Sequence, residues 1–153
     1  MKNSVIKIEL FGDKKLIAKF KRLKLSVKAG IKDAVNDSAL NIMTDAKKRL
    51  RDWPAIDTGR LRSSIRPEFF NMGMAAEIGT NVAYAAFVEF GTGRKGSSTL
   101  PGNIPLPQGY KHGGISGMRA RPYLFPAYFA EEKDFQKAIS KLVQRESRKA
   151  KSR

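Results

Sequence analysis

Apolar residues recur along this chain at intervals that change from two residues to three or four, and these changes predict its secondary structure. Ile6, Ile8 and Leu10 alternate with polar residues in the first run, from Ser4 to Phe11. Such alternation is typical of a half-buried strand. The run from residue 13 to residue 24 then predicts a short helix with a basic outer face. Its apolar positions are Leu16, Ile17, Phe20 and Leu23.

The most regular pattern predicts a long helix with Ser26 as its N-terminal cap. An apolar stripe with nearly helical spacing runs along it. The stripe consists of Val27, Ile31, Val35, Ala39, Ile42, Ala46 and Leu50. We expect this helix to end at Asp52-Trp53-Pro54, because a residue that precedes proline is disfavoured in the helical conformation.

A turn, a short helix and a hairpin are predicted next. Residues 56–65 combine turn-forming residues with apolar positions four apart, which favours a tight turn and one or two helical turns. Two strands, Arg66–Phe70 and Ala75–Thr80, follow on either side of Asn71-Met72-Gly73, a hairpin connection. Pro67 would confine the first strand to a sheet edge or to a strand start.

The segment from Val82 to Phe90 is apolar almost all the way round, apart from one carboxylate, and is predicted to form a short helix that ends at Gly91. Small residues allow a close backbone approach, and large ones supply contact area for a core or a subunit interface. Together with the apolar run from Ala120 to Ala127, this segment gives our candidate core or interface residues. They are Tyr84, Phe87, Val88, Phe90, Tyr123 and Phe125.

Residues 93–118 are rich in glycine and proline and have no periodicity, so we predict a long flexible loop. An arm that becomes ordered only against a neighbouring subunit would fit the same pattern. A last helix is predicted to begin near Pro126. It would bury Phe129, Phe135, Ile139, Leu142 and Val143, and it would set four basic residues on its opposite face.

These elements predict an α+β fold: a small antiparallel sheet packed against a long helix and a C-terminal helix, with a long Gly/Pro-rich loop or arm. We expect a single domain over residues 1–145, since a chain of 153 residues can bury one core. Residues 146–153 would then form a basic, frayed tail.

The charge is large and unevenly distributed. The net charge is +16, with fourteen basic and five acidic residues in positions 1–51 and ten basic and four acidic residues in positions 119–153. The middle of the chain is nearly neutral. Basic ends attract nucleic acid or an acidic protein surface, largely without sequence preference. The candidate contacts are Lys15, Lys19, Arg22, Lys133, Lys137, Lys141 and Arg145.

The sequence contains no recognisable set of catalytic residues. Cysteine is absent, and the single histidine, His112, has no second ligand or base nearby in the sequence. The Gly91–Gly96 stretch has glycine-loop spacing but lacks the strand and helix of a nucleotide site. Asp57 is interpreted as a cap, and Glu89 as a salt-bridge partner of Arg60 or Arg121. We therefore expect no enzymatic activity, no cofactor and no metal.

No signal peptide, membrane span or small-molecule site is expected either. The first residues interleave charged and apolar side chains, and no apolar run approaches the roughly 20 residues that a bilayer requires. Synthesis and action in the cytosol are the default expectation.

Three stretches together resemble the gene-product-ten-like tail-component family of tailed bacteriophages. They are the Asp-Thr-Gly turn of residues 57–65, the Tyr-Ala-x-x-Val-Glu-Phe-Gly-Thr segment within residues 78–92, and the Arg-Pro run of residues 120–127. The similarity extends from residue 15 to residue 145. The chain departs from the family pattern in the loop from Gly93 to Met118, which is longer than usual.

The resemblance implies a structural virion protein at the head–tail junction: a neck, tail-completion or minor tail component that assembles as a ring. Its implied partners are copies of itself, neighbouring neck and tail proteins, and DNA in the channel. Its implied location is the virion, after assembly in the cytoplasm of the host bacterium. The main alternative is a stand-alone nucleic-acid-binding protein without sequence specificity, whose binding would be strongly salt-dependent. A toxin or nuclease is a further rival, but the necessary residues are missing.

Overall fold

The computed structural model describes residues 6–11, 25–52, 59–113 and 116–151. Within these ranges it contains a three-stranded sheet and five α-helices. The elements in chain order are β1 (Ile6–Phe11), α1 (Leu25–Arg51), α2 (Gly59–Ser64), β2 (Arg66–Phe70), a 3-10 turn (Asn71–Gly73), β3 (Ala75–Thr80), α3 (Ala85–Phe90), α4 (Gly93–Thr99) and α5 (Leu124–Lys151). The α+β prediction is confirmed.

Helix α1 is the centre of the fold. Every residue of the predicted apolar stripe is buried, from Val27 at 2% exposure to Leu50 at 0%. The helix packs along α5 and also against β3, so its one stripe contributes to contacts with both layers. Ser26 is not the predicted cap: it lies inside the helix, and its hydroxyl donates to Glu146 Oε2 at 2.8 Å.

The sheet has the strand order β1-β3-β2, and both pairings are antiparallel. Phe70 is paired with Ala75 and Arg66 with Gly79, so the predicted hairpin of β2 and β3 is confirmed. Alternate residues of β3 are buried at Ala76, Ile78 and Thr80, which is the period of two that the pleat imposes. Strand β2 lies at an edge, as Pro67 predicted.

The segment from residue 93 to residue 118 is more ordered than the sequence suggested. Residues 93–99 form helix α4, so the prediction of a structureless loop is wrong there. The remaining described residues up to Met118 form neither helix nor strand, but Leu100, Ile104, Tyr110 and Met118 among them belong to the core or pack against it. Ile104 is buried, and the Tyr110 ring lies 5.1 Å from that of Phe90. Part of the described segment thus contacts its own domain.

Helix α5 continues to Lys151, so the predicted domain boundary at residue 145 falls inside a helix. Among the apolar residues that we expected it to bury, only Leu142 is fully buried. The other four, Phe129, Phe135, Ile139 and Val143, are half-buried. The prediction is wrong in degree: α5 packs mainly along α1, and its contact with β1 is much smaller.

Several predictions concern residues outside the described ranges. They are the basic helix of residues 13–24 with its candidate contacts Lys15, Lys19 and Arg22, and the cap at Asp57. In the part of the chain that the structure describes, no helix is both long enough and apolar enough to cross a membrane.

Candidate functional site

The six candidate core or interface residues separate into two groups in the structure. Val88, Phe90 and Tyr123 are buried at 3% exposure or less and belong to the core. Tyr84 and Phe125 are partly buried and pack against that core. Phe87 alone remains largely open, with 48% of its surface exposed. The sequence pattern alone did not distinguish the inner face of this segment from its outer face.

Glu89 performs the main structural role in this segment. It is fully buried, and its carboxylate accepts hydrogen bonds from the backbone N–H groups of Tyr123, Leu124 and Phe125 at 2.8, 3.0 and 3.0 Å. These groups belong to the start of α5, where backbone donors lack partners within the helix. The first turn of α5 contains no acidic residue of its own. Glu89 on α3 therefore caps α5 from another element and complements its dipole.

The position of Glu89 corrects the sequence interpretation. We expected a salt bridge with Arg60 or Arg121, but within the described residues no ion pair joins Glu89 to either arginine. Burial raises the pKa of Glu89, and the three backbone hydrogen bonds and the charge of Arg49 partly offset this effect. Burial also raises the pKa of Tyr123 well above its usual range, and the nearby charge of Glu89 adds to the shift.

The glycines around Thr92 allow two backbone segments to run in close contact. Thr92 donates its N–H to the Met118 carbonyl at 2.9 Å, and Met118 donates its N–H to the Thr92 hydroxyl at 2.9 Å. Gly93 has a φ of +58°, and a Cβ there would collide with the Ser116 carbonyl. The glycine-loop spacing of residues 91–96 thus serves backbone packing. We call these contacts of Thr92 and Gly93 with Ser116 and Met118, together with the Glu89 cap, the Glu89 junction.

A second region of interest lies at the edge of the sheet. Phe69, Phe70 and Met72 are exposed at 42%, 46% and 82%. Phe69 pairs with Ala76 and Phe70 with Ala75, so the two rings lie on opposite faces of β2. We call Phe69, Phe70 and Met72 the β2-edge patch. Exposed edges usually carry charges or are covered, because their unpaired backbone groups can recruit another strand.

The turn that presents Met72 has an uncommon backbone conformation. Asn71 and Met72 have φ values of 51° and 59°, and Gly73 follows with a φ of 86°. Asparagine and glycine adopt the left-handed region readily, but methionine does so at a cost of roughly 1–2 kcal/mol. Strained residues of this kind cluster at functional sites. Here the conformation holds a large apolar side chain in solvent.

The basic candidates on α5 are exposed, as predicted, but two of them are paired with acidic neighbours on the same helix. Lys137 Nζ lies 2.9 Å from Asp134 Oδ1, and Arg145 Nε lies 3.3 Å from Glu146 Oε1. No described ion pair includes Lys133 or Lys141. The hydrogen bond from Lys137 lowers the pKa of Asp134. This basic stripe is therefore less positive than its lysines and arginine alone would indicate.

Sequence reasoning missed both the Glu89 cap and the β2-edge patch. A buried glutamate in an apolar helix was a signal for the first, because such a group requires hydrogen-bond donors. Adjacent Phe69 and Phe70 beside Pro67 were a signal for the second, since an edge strand cannot bury both faces. Among the described residues, no group of three or more histidine, cysteine or acidic side chains could hold a metal ion.

Comparison with known proteins gives one match. A family model described as "Bacteriophage HK97-gp10, putative tail-component" matches residues 14–91, which is just over half of the 153-residue chain. The matched range includes the β2-edge patch and Glu89, whereas the backbone donors that Glu89 caps lie beyond it. No curated protein and no solved structure gives a significant match.

Proposed function

Since the chain belongs to the HK97-gp10-like family of bacteriophage tail components, we propose that it joins the phage head to the tail as one subunit of a ring. Membership of this family indicates a structural role in the virion of a tailed phage. The finer proposal is that the protein is a neck or tail-completion component at the head–tail junction. It also holds that copies of this chain assemble with one another. The protein acts by binding its neighbours and catalyses no reaction.

The observation that carries the proposal is the β2-edge patch. Among the described residues, two phenylalanines of the edge strand and a methionine of the adjoining turn are exposed, and the outer backbone groups of β2 have no strand partner. Apolar burial contributes roughly 25 cal/mol per Å², so covering these three side chains would contribute substantially to association. Aromatic residues and methionine are also the types that are enriched in protein interfaces.

The topology of the sheet supports a second copy of this chain as the occupant. Strands β1 and β2 both pair antiparallel with β3, so they run parallel to each other at opposite edges of the sheet. A neighbour related by rotation about a ring axis can bring its β1 beside β2 without reversing the strand direction. Such a head-to-tail contact uses different surfaces on the two subunits and closes when the rotation closes.

The test is to replace two residues of the β2-edge patch with charged ones. Phe70→Asp with Met72→Asp should leave a folded monomer, because both side chains are exposed and a substitution at a surface site usually changes stability by no more than about 0.5 kcal/mol. The wild-type protein should sediment as a ring in analytical ultracentrifugation, and the variant should not. In a phage that carries the variant, electron microscopy should show heads and tails that accumulate unjoined.

Leu106→Asp is the matched control, because Leu106 is a similarly exposed apolar residue, at 43%, outside the sheet. This variant should retain rings and joined particles. The proposed interface is wrong if the double variant assembles normally, or if Leu106→Asp disrupts assembly to the same extent. If phage with the double variant formed joined particles at normal yield, this surface would have no role in joining heads to tails.

A further inference from the structure

A basic cleft lies between the C-terminal end of α1 and the short helix α2. Its volume is about 430 Å³. The described residues that line it are Thr44, Lys47, Lys48, Arg51, Arg62 and Ser63. Four of these six residues carry a positive charge, and none is acidic or aromatic. The cleft is separate from the β2-edge patch, and it includes none of the basic contacts that the sequence suggested.

We propose that this cleft binds the phosphate backbone of a nucleic acid. Arg51 and Arg62 can each donate a pair of parallel hydrogen bonds to a phosphate group, and the two lysines add point charges. Because α1 and α2 supply these groups from two directions, they converge on one concave surface. The site requires no particular base, since all its cationic groups recognise phosphate.

The charges in the cleft are less neutralised than those of the basic stripe on α5. Arg51 Nε lies 3.5 Å from Asp52 Oδ1 in an exposed pair, but no described ion pair includes Lys47, Lys48 or Arg62. Lys47 and Arg51 are four residues apart on one helix, a spacing at which like charges repel. Placing them near the negative end of the α1 dipole offsets part of this cost for α1. The α1 dipole does not explain why Arg62, which belongs to α2, lies in the same cleft.

A polyanion with regularly spaced charges fits this surface better than an acidic protein does. Protein interfaces centre on buried aromatic or apolar anchors, and the described lining of the cleft offers none. The hydroxyl groups of Thr44 and Ser63 donate to the backbone carbonyls of Leu40 and Arg60. The cationic side chains are therefore the main donors for a ligand, and Arg51 alone of the four has a described ion pair, with Asp52. The proposal does not depend on ring assembly.

The experiment measures binding of the purified full-length chain to a short, fluorescently labelled DNA duplex of random sequence, by anisotropy at several salt concentrations. Lys48→Gln with Arg62→Gln removes two charges from the cleft. Lys133→Gln with Lys141→Gln is the matched control, because it removes two exposed charges from α5. The cleft variant should bind about tenfold more weakly, and its salt slope should fall by about two, since each neutralised phosphate contributes nearly one.

The control variant should lose less than about twofold in affinity, with little change in salt slope. Equal losses in both variants would overturn the proposal, because binding would then depend on net charge alone. An unchanged cleft variant would also overturn it. The proposal would also be overturned if the wild-type protein bound a labelled poly-glutamate peptide with high affinity but did not bind the duplex. The partner would then be an acidic protein. Unchanged far-UV circular dichroism and Tm verify that each variant is folded.

Discussion

The Glu89 junction and the β2-edge patch use similar residues in opposite ways. At the junction, three backbone donors find their acceptor in one buried carboxylate, and the surrounding aromatic side chains lie in the core. At the edge, the backbone groups of β2 that point away from β3 have no strand partner within the described residues, and two phenylalanines and a methionine are exposed to solvent. The first region is completed by contacts within one chain, whereas the second is the surface that we propose a neighbouring copy covers.

This comparison distinguishes residues that stabilise the monomer from residues that serve its assembly. Removing a group from the junction leaves buried donors unsatisfied, which costs about 1–3 kcal/mol for each of them. Changing the β2-edge patch alters only exposed side chains, so the monomer should tolerate it. The two regions should therefore respond to mutation in different assays, and the following variants test this expectation from the largest effect to the smallest.

The largest effect is expected for Glu89→Ala. It removes the shared acceptor of the α5 N-terminus and leaves a cavity, so the free energy of unfolding should fall by about 4 kcal/mol. Urea denaturation followed by circular dichroism measures the change. Glu68→Ala is the matched control, because Glu68 is an exposed glutamate on β2, and it should change stability by less than about 0.5 kcal/mol. A loss below about 1 kcal/mol at Glu89 would mean that the cap is not important.

The pH dependence of stability sharpens the same point. Because burial raises the pKa of Glu89 above its unfolded value of 4.5, the folded state holds this proton more tightly than the unfolded chain does. The resulting stabilisation is fully present below about pH 4.5 and is lost as the pH rises through the raised pKa. It amounts to about 1.4 kcal/mol for each unit between the two pKa values.

Glu89→Gln removes this titration and leaves the other groups in place. The free energy of unfolding of the wild type minus that of Glu89→Gln should therefore increase as the pH falls toward 4.5, and then remain level. Urea denaturation of both proteins between pH 4 and pH 8 measures the difference. A difference that decreases on acidification would show that the hydrogen bonds outweigh burial and that the pKa is lowered.

The smallest effect is expected for Met72→Gly in the hairpin turn. Glycine adopts the left-handed conformation without the steric cost that methionine incurs, so the monomer should become more stable by up to about 1 kcal/mol. Asn71→Gly should gain less, because asparagine tolerates this region. Thermal unfolding measures both changes, and sedimentation should show that Met72→Gly weakens assembly. A destabilised Met72→Gly monomer would indicate that the side chain supports its own domain.

Much of the fold could be predicted from the sequence because it depends on local pattern. The apolar stripe of α1 predicted both the helix and the face that it buries. The hairpin and the edge position of β2 followed from turn residues and from Pro67. Helix α4 could not be predicted in this way, because three glycines within residues 91–96 also fit a flexible loop, and only the contact with residues 116–118 gives them a structural role.

The candidate sites were harder to predict than the fold, since each joins residues that are distant in the sequence. Glu89 and Tyr123 are 34 positions apart, and no spacing rule connects them. The basic cleft combines the last two turns of α1 with Arg62 and Ser63 on α2. The sequence indicated the basic residues of α5 because they repeat every four positions, yet the structure pairs two of them with acidic neighbours.

The sequence by itself determined where most of the described helices and strands form, with α4 as the exception, because hydrophobic periodicity and turn chemistry act within a few residues. It also indicated the phage tail-component family. Only the tertiary structure decided which apolar residues are buried and which carboxylate caps α5, because burial and hydrogen bonding depend on contacts between distant segments. A chain that looks uniformly apolar in its middle thus folds into one closed junction and one open sheet edge.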